Sequence, residues 1–154
     1  GLGALDALAE GVSETTRLLA ETFWPGALTL VCTEGQTLQW SLGEGSGQVA
    51  LRVPDHPVAL ELLQETGPLA ATTAHPEAER IALEELLARS GDELAVVLID
   101  PERDFEFHTA GSSVVDTRGL AEAPPVLRLV REGVISAATI EATAGLELVG
   151  DARD

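Results

Sequence analysis

The sequence predicts a single layered domain, α/β or α+β in class, in which helices flank a twisted, mixed β-sheet. Three observations carry this. The chain has 154 residues, the usual size of one core, and 45% of them are apolar, too many for a chain that stays open. Runs of buried-strand type alternate with segments of helical period, which puts helices over a sheet. Neighbouring strands are also joined by short turns, and such hairpins make the sheet mixed rather than purely parallel.

Each element follows from local pattern. Leu5 to Phe23 reads as one or two short helices, with Ser13 as an N-cap and Leu18, Leu19 and Phe23 on one face. Trp24-Pro25-Gly26 stops it. Ala27 to Cys32 is a buried-type strand, and Thr37 to Leu42 alternates as its hairpin partner. Gln48 to Val53 is a further strand closed by Pro54. Asp55 caps a helix carrying Val58, Leu60, Leu62 and Leu63 to about Glu65, with Pro57 in its first turn. Pro68 to Thr73 is strand-like, and Glu77 to Arg89 is a periodic helix ended by Ser90-Gly91. Leu94 to Asp100 reads as the clearest buried strand. Phe105 to His108, Ser112 to Asp116 and Val126 to Val130 are shorter strands, and Ser136 caps a last helix to about Thr143. The expected core contains Leu28, Leu30, Leu51, Val53, Val96, Leu98, Val114 and Val126.

Composition narrows the functions. Twenty-six acidic residues against nine basic ones give a net charge of −17, and all nine bases are arginine. This charge opposes phosphate backbones, so the chain alone should bind nucleic acid weakly or not at all. Without lysine there is no Schiff-base or Walker-type chemistry. The one cysteine, Cys32, cannot form an internal disulfide, which favours a reducing, cytoplasmic setting. No apolar run approaches the length of a membrane span, and the chain is expected to have no membrane partner.

Motifs for metal or nucleophilic chemistry are weak. His56, His75 and His108 are scattered singly, as surface or capping residues are, and no metal-ligand spacing occurs. Cys32 lies within an apolar strand, and there is no Gly-x-Ser-x-Gly elbow. Gly43 to Gly47 lies between two strands and reads as a hairpin turn, not a phosphate loop. The acids of Glu77 to Glu85 read as a solvated helix face. The arginines are more informative. Arg52 and Arg131 fall at strand ends, where a guanidinium fork suits phosphate or carboxylate, with Ser112 and Ser113 placed to assist. An ion pair with a nearby acid explains any single arginine equally well.

Order and spacing carry a stronger signal. Phe23-Trp24-Pro25-Gly26-Ala27-Leu28-Thr29-Leu30 resembles the F-W-P-G-P-L-T-L signature of the YrdC-like family, the threonylcarbamoyl-adenylate synthases. Arg52-Val53-Pro54-Asp55-His56-Pro57, Gly67-Pro68-Leu69-Ala70, Ser112-Ser113-Val114-Val115-Asp116 and Leu129-Val130-Arg131-Glu132-Gly133 follow in the family's order. The resemblance implies a YrdC-like fold: a twisted mixed sheet flanked by helices around a concave cavity.

It also implies a reaction. L-threonine, bicarbonate and ATP, with Mg2+, give threonylcarbamoyl-AMP and pyrophosphate. The adenylate feeds the tRNA-modification machinery that makes threonylcarbamoyladenosine. Carried over by motif, Arg131, Ser112, Ser113 and Thr73 fall on the nucleotide side and Arg52 on the threonine or carbonate side; catalytic and metal-ligating residues are not assigned. The family is described as binding double-stranded RNA, which −17 opposes here. Its opening P-T-D-T-x-Y-G and Lys-x-Arg motifs have no counterpart, and neither methionine nor tyrosine occurs. Residues 1–154 are therefore expected to be one YrdC-like domain lacking its N-terminal segment. Thr72-Thr73-Ala74-His75 aligns either with the family's Ser-Ala-Asn loop or with the start of the next helix, in which case that loop is absent. Two other readings share the scaffold: a degenerate nucleotide- or partner-binding domain, and a module of a larger carbamoyltransferase.

Overall fold

The computed structural model describes residues 2–36, 47–72, 88, 94–98 and 111–150. They belong to two compact units, Gly1–Asp55 with Gly111–Asp154, and His56–Ala110.

The first unit opens with α1 (Leu2–Leu8), the short strand β1 (Ala9–Glu10) and α2 (Glu14–Phe23). Gly11, at φ +64°, makes the turn that separates the two helices. Ser13 is the N-cap of α2: its backbone is extended and its hydroxyl accepts the Thr16 amide at 3.0 Å. Trp24 ends the helix, because Pro25 has no N–H with which to continue it. The buried face of α2 is Thr16, Leu19 and Ala20, and Leu18 is exposed rather than sharing that face. Neighbouring positions on a helix lie about 100° apart, so a stripe through 16, 19 and 20 excludes 18.

β2 (Leu28–Glu34) is the centre of a mixed sheet. It pairs antiparallel with β3 (Gln48–Leu51), placing Leu30 opposite Leu51, and parallel with β4 (Ser113–Asp116), placing Leu28 opposite Ser113. β4 pairs antiparallel with β5 (Leu127–Arg131), and β5 parallel with β6 (Leu148–Gly150). β1 pairs antiparallel with the far end of β2. A 3-10 turn, Arg118–Ala121, follows β4, and a helix over Ala137–Ala144 joins β5 to β6 with Ser136 as its N-cap. Leu28, Leu30 and Cys32 of β2 alternate onto the same face as Val49, Val115 and Leu127. Leu5, Leu19, Ala20 and Ile140 complete the core over them.

One irregularity decides which way Arg131 points. Along the β4–β5 ladder Asp116 faces Arg128, Val115 faces Leu129, and Val114 faces Arg131. Two steps on β5 therefore match one step on β4, a bulge at Val130. Strict alternation would group Arg131 with Leu127 and Leu129, on the core side. The bulge re-aims it to the face shared by Thr29 and Val114.

Several expectations are corrected. Val114 and Val126 are only half-buried, because Val115 and Leu127 take the inward positions; Leu51 is half-buried at the core margin. β1, β6 and the 3-10 turn have no counterpart in the sequence reading. The strand expected at Thr37 to Leu42 and most of the Gly43 to Gly47 turn lie outside the described residues.

In the second unit a helix spans Pro57–Thr66. Its cap is His56 and not Asp55: Pro57 occupies the first turn, His56 is extended, and its Nδ1 accepts the Ala59 amide at 3.4 Å. Asp55 lies one residue too early to do this. Gly67, at φ +78°, ends the helix. Pro68 to Thr72 forms no strand. Neither does Leu94 to Leu98, where Val96 is 74% and Leu98 56% exposed, so both leave the expected core. An apolar run reports only that cover is needed, and a strand also needs a ladder partner; the described sheet takes every strand from the first unit. The helix expected at Glu77 to Arg89, apart from helical Ala88, and the strand at Phe105 to His108 lie outside the described residues.

Candidate functional site

Strand direction brings the predicted strand-end residues of the first unit to one edge of the sheet. β2 and β4 run parallel and begin there; β3 and β5 run the opposite way and end there. Arg52 therefore follows the last residue of β3, Ser112 precedes the first of β4, and Arg131 is the last of β5. In the order β3-β2-β4-β5, Arg52 and Arg131 are three strand spacings apart, roughly 14 Å.

Arg131 and Ser112 touch. Arg131 Nε and Nη2 donate to the Ser112 carbonyl at 3.1 and 2.8 Å, and Nη2 lies 3.3 Å from Ser112 Oγ. The Ser112 hydroxyl is in turn 2.8 Å from Thr29 Oγ1 on the neighbouring strand. One edge of the guanidinium is thus anchored to backbone. Arg131 is exposed, and its Nη1 has no protein partner among the described residues, which leaves it available to an anion. Glu132, the acid next in sequence, does not pair with Arg131; its Oε1 accepts the Ala137 amide at the start of the last helix.

The surrounding glycines make this geometry possible. A Cβ on Gly111 would stand 3.1 Å from Arg131 Nη2, and one on Gly133 would run into the backbone of Gly111 and Ser112. The close approach is held by hydrogen bonds. Val134 N donates to Gly111 O at 3.1 Å, while Gly133 N and Ile135 N donate to Ser113 Oγ at 3.0 and 3.2 Å. Ser113 Oγ gives its own proton to Ile135 O. Ser113 is fully buried and its hydroxyl is saturated, so it fastens the loop behind Arg131 and does not face a ligand.

Arg52 is exposed, and its Nε donates to Gly26 O at 2.9 Å; Gly26 N donates to Val53 O at 2.8 Å. The Trp24-Pro25-Gly26 turn thereby fixes the root of the Arg52 fork, and among the described residues its two terminal nitrogens have no hydrogen-bond partner. Thr73 lies outside the described residues, as do His75 and His108. Sequence reasoning gave no site role to Thr29, Gly111 or Gly133, although Thr29 and Gly133 stand within the motifs that carry the resemblance. The alternation of β2 signals Thr29, a polar residue between inward Leu28 and Leu30.

The opposite edge differs in chemistry. A cavity of about 110 Å³ there is lined by Thr16, Cys32, Thr117 and Arg118 among others. Burial pushes the Cys32 thiol above its ordinary range, unlike a nucleophile. Burial would also raise the Asp116 carboxyl, but the hydrogen bonds from Arg118 outweigh it and hold the carboxyl below its usual value. Among the described residues no group of three or more His, Cys, Asp or Glu side chains could hold a metal, and no helix is long and apolar enough to cross a membrane.

The family model described as "Telomere recombination", of Sua5, YciO and YrdC, matches residues 2–133. A Mycobacterium tuberculosis protein provisionally named threonylcarbamoyl-AMP synthase is 38% identical over 145 residues, covering 93% of this chain and 63% of its own length. A similarly named Mycobacterium leprae protein is 37% identical over 143 residues, covering 92% of this chain and 62% of its own. The structure of Pyrococcus abyssi Sua5 complexed with L-threonine superposes with a TM-score of 0.76 at 26% identity, covering 97% of this chain and 43% of that one. This chain thus spans less than two thirds of the curated relatives it matches.

Proposed function

Because this chain belongs to the Sua5/YciO/YrdC family, we propose that its protein is a threonylcarbamoyl-AMP synthase. L-threonine, bicarbonate and ATP are joined into threonylcarbamoyl-AMP, pyrophosphate and water leave, and the adenylate supplies tRNA threonylcarbamoyladenosine modification in the cytoplasm. The observation that carries this is the pairing of Arg131 with Ser112 at a sheet edge that also bears Arg52.

The reaction gathers a carboxylate, a carbonate and a triphosphate, all anionic. Two guanidiniums rooted in backbone carbonyls offset that repulsion without having to reorganise. In this reading Arg131 holds the nucleotide phosphates, Ser112 donates beside it, Ser113 positions the loop, and Arg52 faces threonine or carbonate. Thr73 joins the nucleotide side by its motif. The described residues of this edge offer no set of carboxylates to hold the Mg2+ that the family resemblance implies, and no step is routed through it. The net charge of −17 leaves tRNA to other components, with weak or no direct binding by this chain.

The test is pyrophosphate release by the full-length gene product. Release that requires both threonine and bicarbonate supports the reading. Its absence, with ATP present and the protein folded, overturns it.

A further inference from the structure

Ser112 and Ser113 are adjacent, and their hydroxyls differ in where the proton can go. A hydroxyl has one proton and two lone pairs. Ser113 uses all three within the protein: two amides donate to it and Ile135 O takes its proton. Ser112 Oγ receives Arg131 Nη2 at 3.3 Å and has Thr29 Oγ1 at 2.8 Å, where either oxygen can be the donor. If Ser112 donates to Thr29, its proton is engaged inside the protein. If Thr29 donates to Ser112, both Ser112 lone pairs are filled and its proton is directed elsewhere.

Thr29 is well placed for the second arrangement. It sits on central β2, in register with Val114, and Val114 is in register with Arg131, so the three form one row across the sheet. Its branched side chain has few rotamers, which holds the hydroxyl in place. We infer that Thr29 is a positioning residue of this edge: it donates to Ser112 Oγ when an anionic oxygen, phosphate or carboxylate, reaches Ser112 and Arg131, and so turns the Ser112 proton toward that oxygen. The inference rests on the reading of this edge as the substrate site.

The experiment titrates ATP and L-threonine separately into the full-length protein, as wild type, Thr29→Val, Thr29→Ser, Ser112→Ala and the Thr29→Val/Ser112→Ala pair, with a melting temperature for each. Thr29→Val keeps the shape and removes the hydroxyl. It weakens one of the two ligands by about three- to tenfold, the range for one hydrogen bond, and Thr29→Ser restores that affinity. In the Ser112→Ala background Thr29→Val adds nothing, because the hydroxyl has lost its partner. The ligand that weakens names the source of the anionic oxygen. Unchanged affinity for both ligands, equal loss in Thr29→Val and Thr29→Ser, or a full additive loss on top of Ser112→Ala overturns the inference and leaves the site reading standing. Wild-type protein that binds neither ligand overturns both.

Discussion

Gly111 packs against the Arg131 guanidinium, close enough that a Cβ on the glycine would stand 3.1 Å from Nη2 and 3.4 Å from Cζ. The same guanidinium is fixed by two bonds to the Ser112 carbonyl, so it can yield only by loosening them. Gly111→Ala is therefore expected to lower ATP affinity about three- to tenfold, the effect of one weakened hydrogen bond. Because Arg131 is exposed, the melting temperature should change little. Calorimetric titration beside a thermal melt checks both, and a variant with wild-type affinity refutes the steric account.

Arg131 should matter far more to turnover than Arg128. Arg131→Ala is expected to cost about 2–4 kcal/mol of transition-state stabilisation, the scale seen when one preorganised charge partner is removed. Arg128→Ala should cost little. It shares the face that the bulge gives Arg131, but it faces Asp116 at the far end of the ladder. Threonine-dependent pyrophosphate release by the two variants makes the comparison.

The core assignment predicts unequal stability losses. Leu30 is fully buried beneath the helices, and Leu30→Ala should destabilise by roughly 2–5 kcal/mol through lost transfer energy and a cavity. Val134, 57% exposed, should tolerate alanine within about 0.5 kcal/mol. Urea denaturation curves for the two variants give both values.

Asp116 predicts an acid-side dependence. Its folded carboxyl titrates below its ordinary value because the Arg118 bonds outweigh burial. A depressed folded value stabilises the native state above the unfolded carboxyl's pKa of about 4, and that contribution is lost as pH falls through the folded value. Arg118→Ala removes the side-chain bonds and leaves the backbone one. The loss of stability below about pH 4 should therefore be shallower in the variant than in wild type. Urea midpoints measured across pH 2.5 to 6, about the carboxylate range, would show it.

What was legible in the sequence was local. Ser13 and Ser136 cap helices because a small hydroxyl residue precedes each apolar stripe. Leu28 and Leu30 mark β2 by alternation, and Arg52 and Arg131 fall at strand ends as expected. What escaped depended on partners distant in the chain. β1 and β6 are too short to show a period, and each exists because a longer strand lies alongside. Val96 and Leu98 failed as core residues because hydrophobicity specifies no neighbour.

Arg131 shows the same limit at the site. Its place at a strand end was readable, but its face was not, since counting by twos from Leu127 sends it into the core. Only the β4 register reveals the extra residue at Val130. Gly133 likewise looks like an ordinary turn glycine until the Gly111 backbone is seen against it.

Gly111–Ser113 and Gly133–Ile135 hold each other through four hydrogen bonds, two of them from amides to a single serine oxygen. The clasp fastens the Gly133–Ile135 stretch, which follows Arg131, to the start of β4, where the preceding Ser112 carries the carbonyl that anchors the guanidinium. On the proposed reading of this edge, a local opening that parts the two stretches would release the Arg131 anchor, and such openings set how fast the clasped amides exchange with solvent. A ligand that binds only the closed form suppresses the opening by mass action. The exchange rates at Gly133, Val134 and Ile135 thus become a gauge of occupancy that needs no turnover at all.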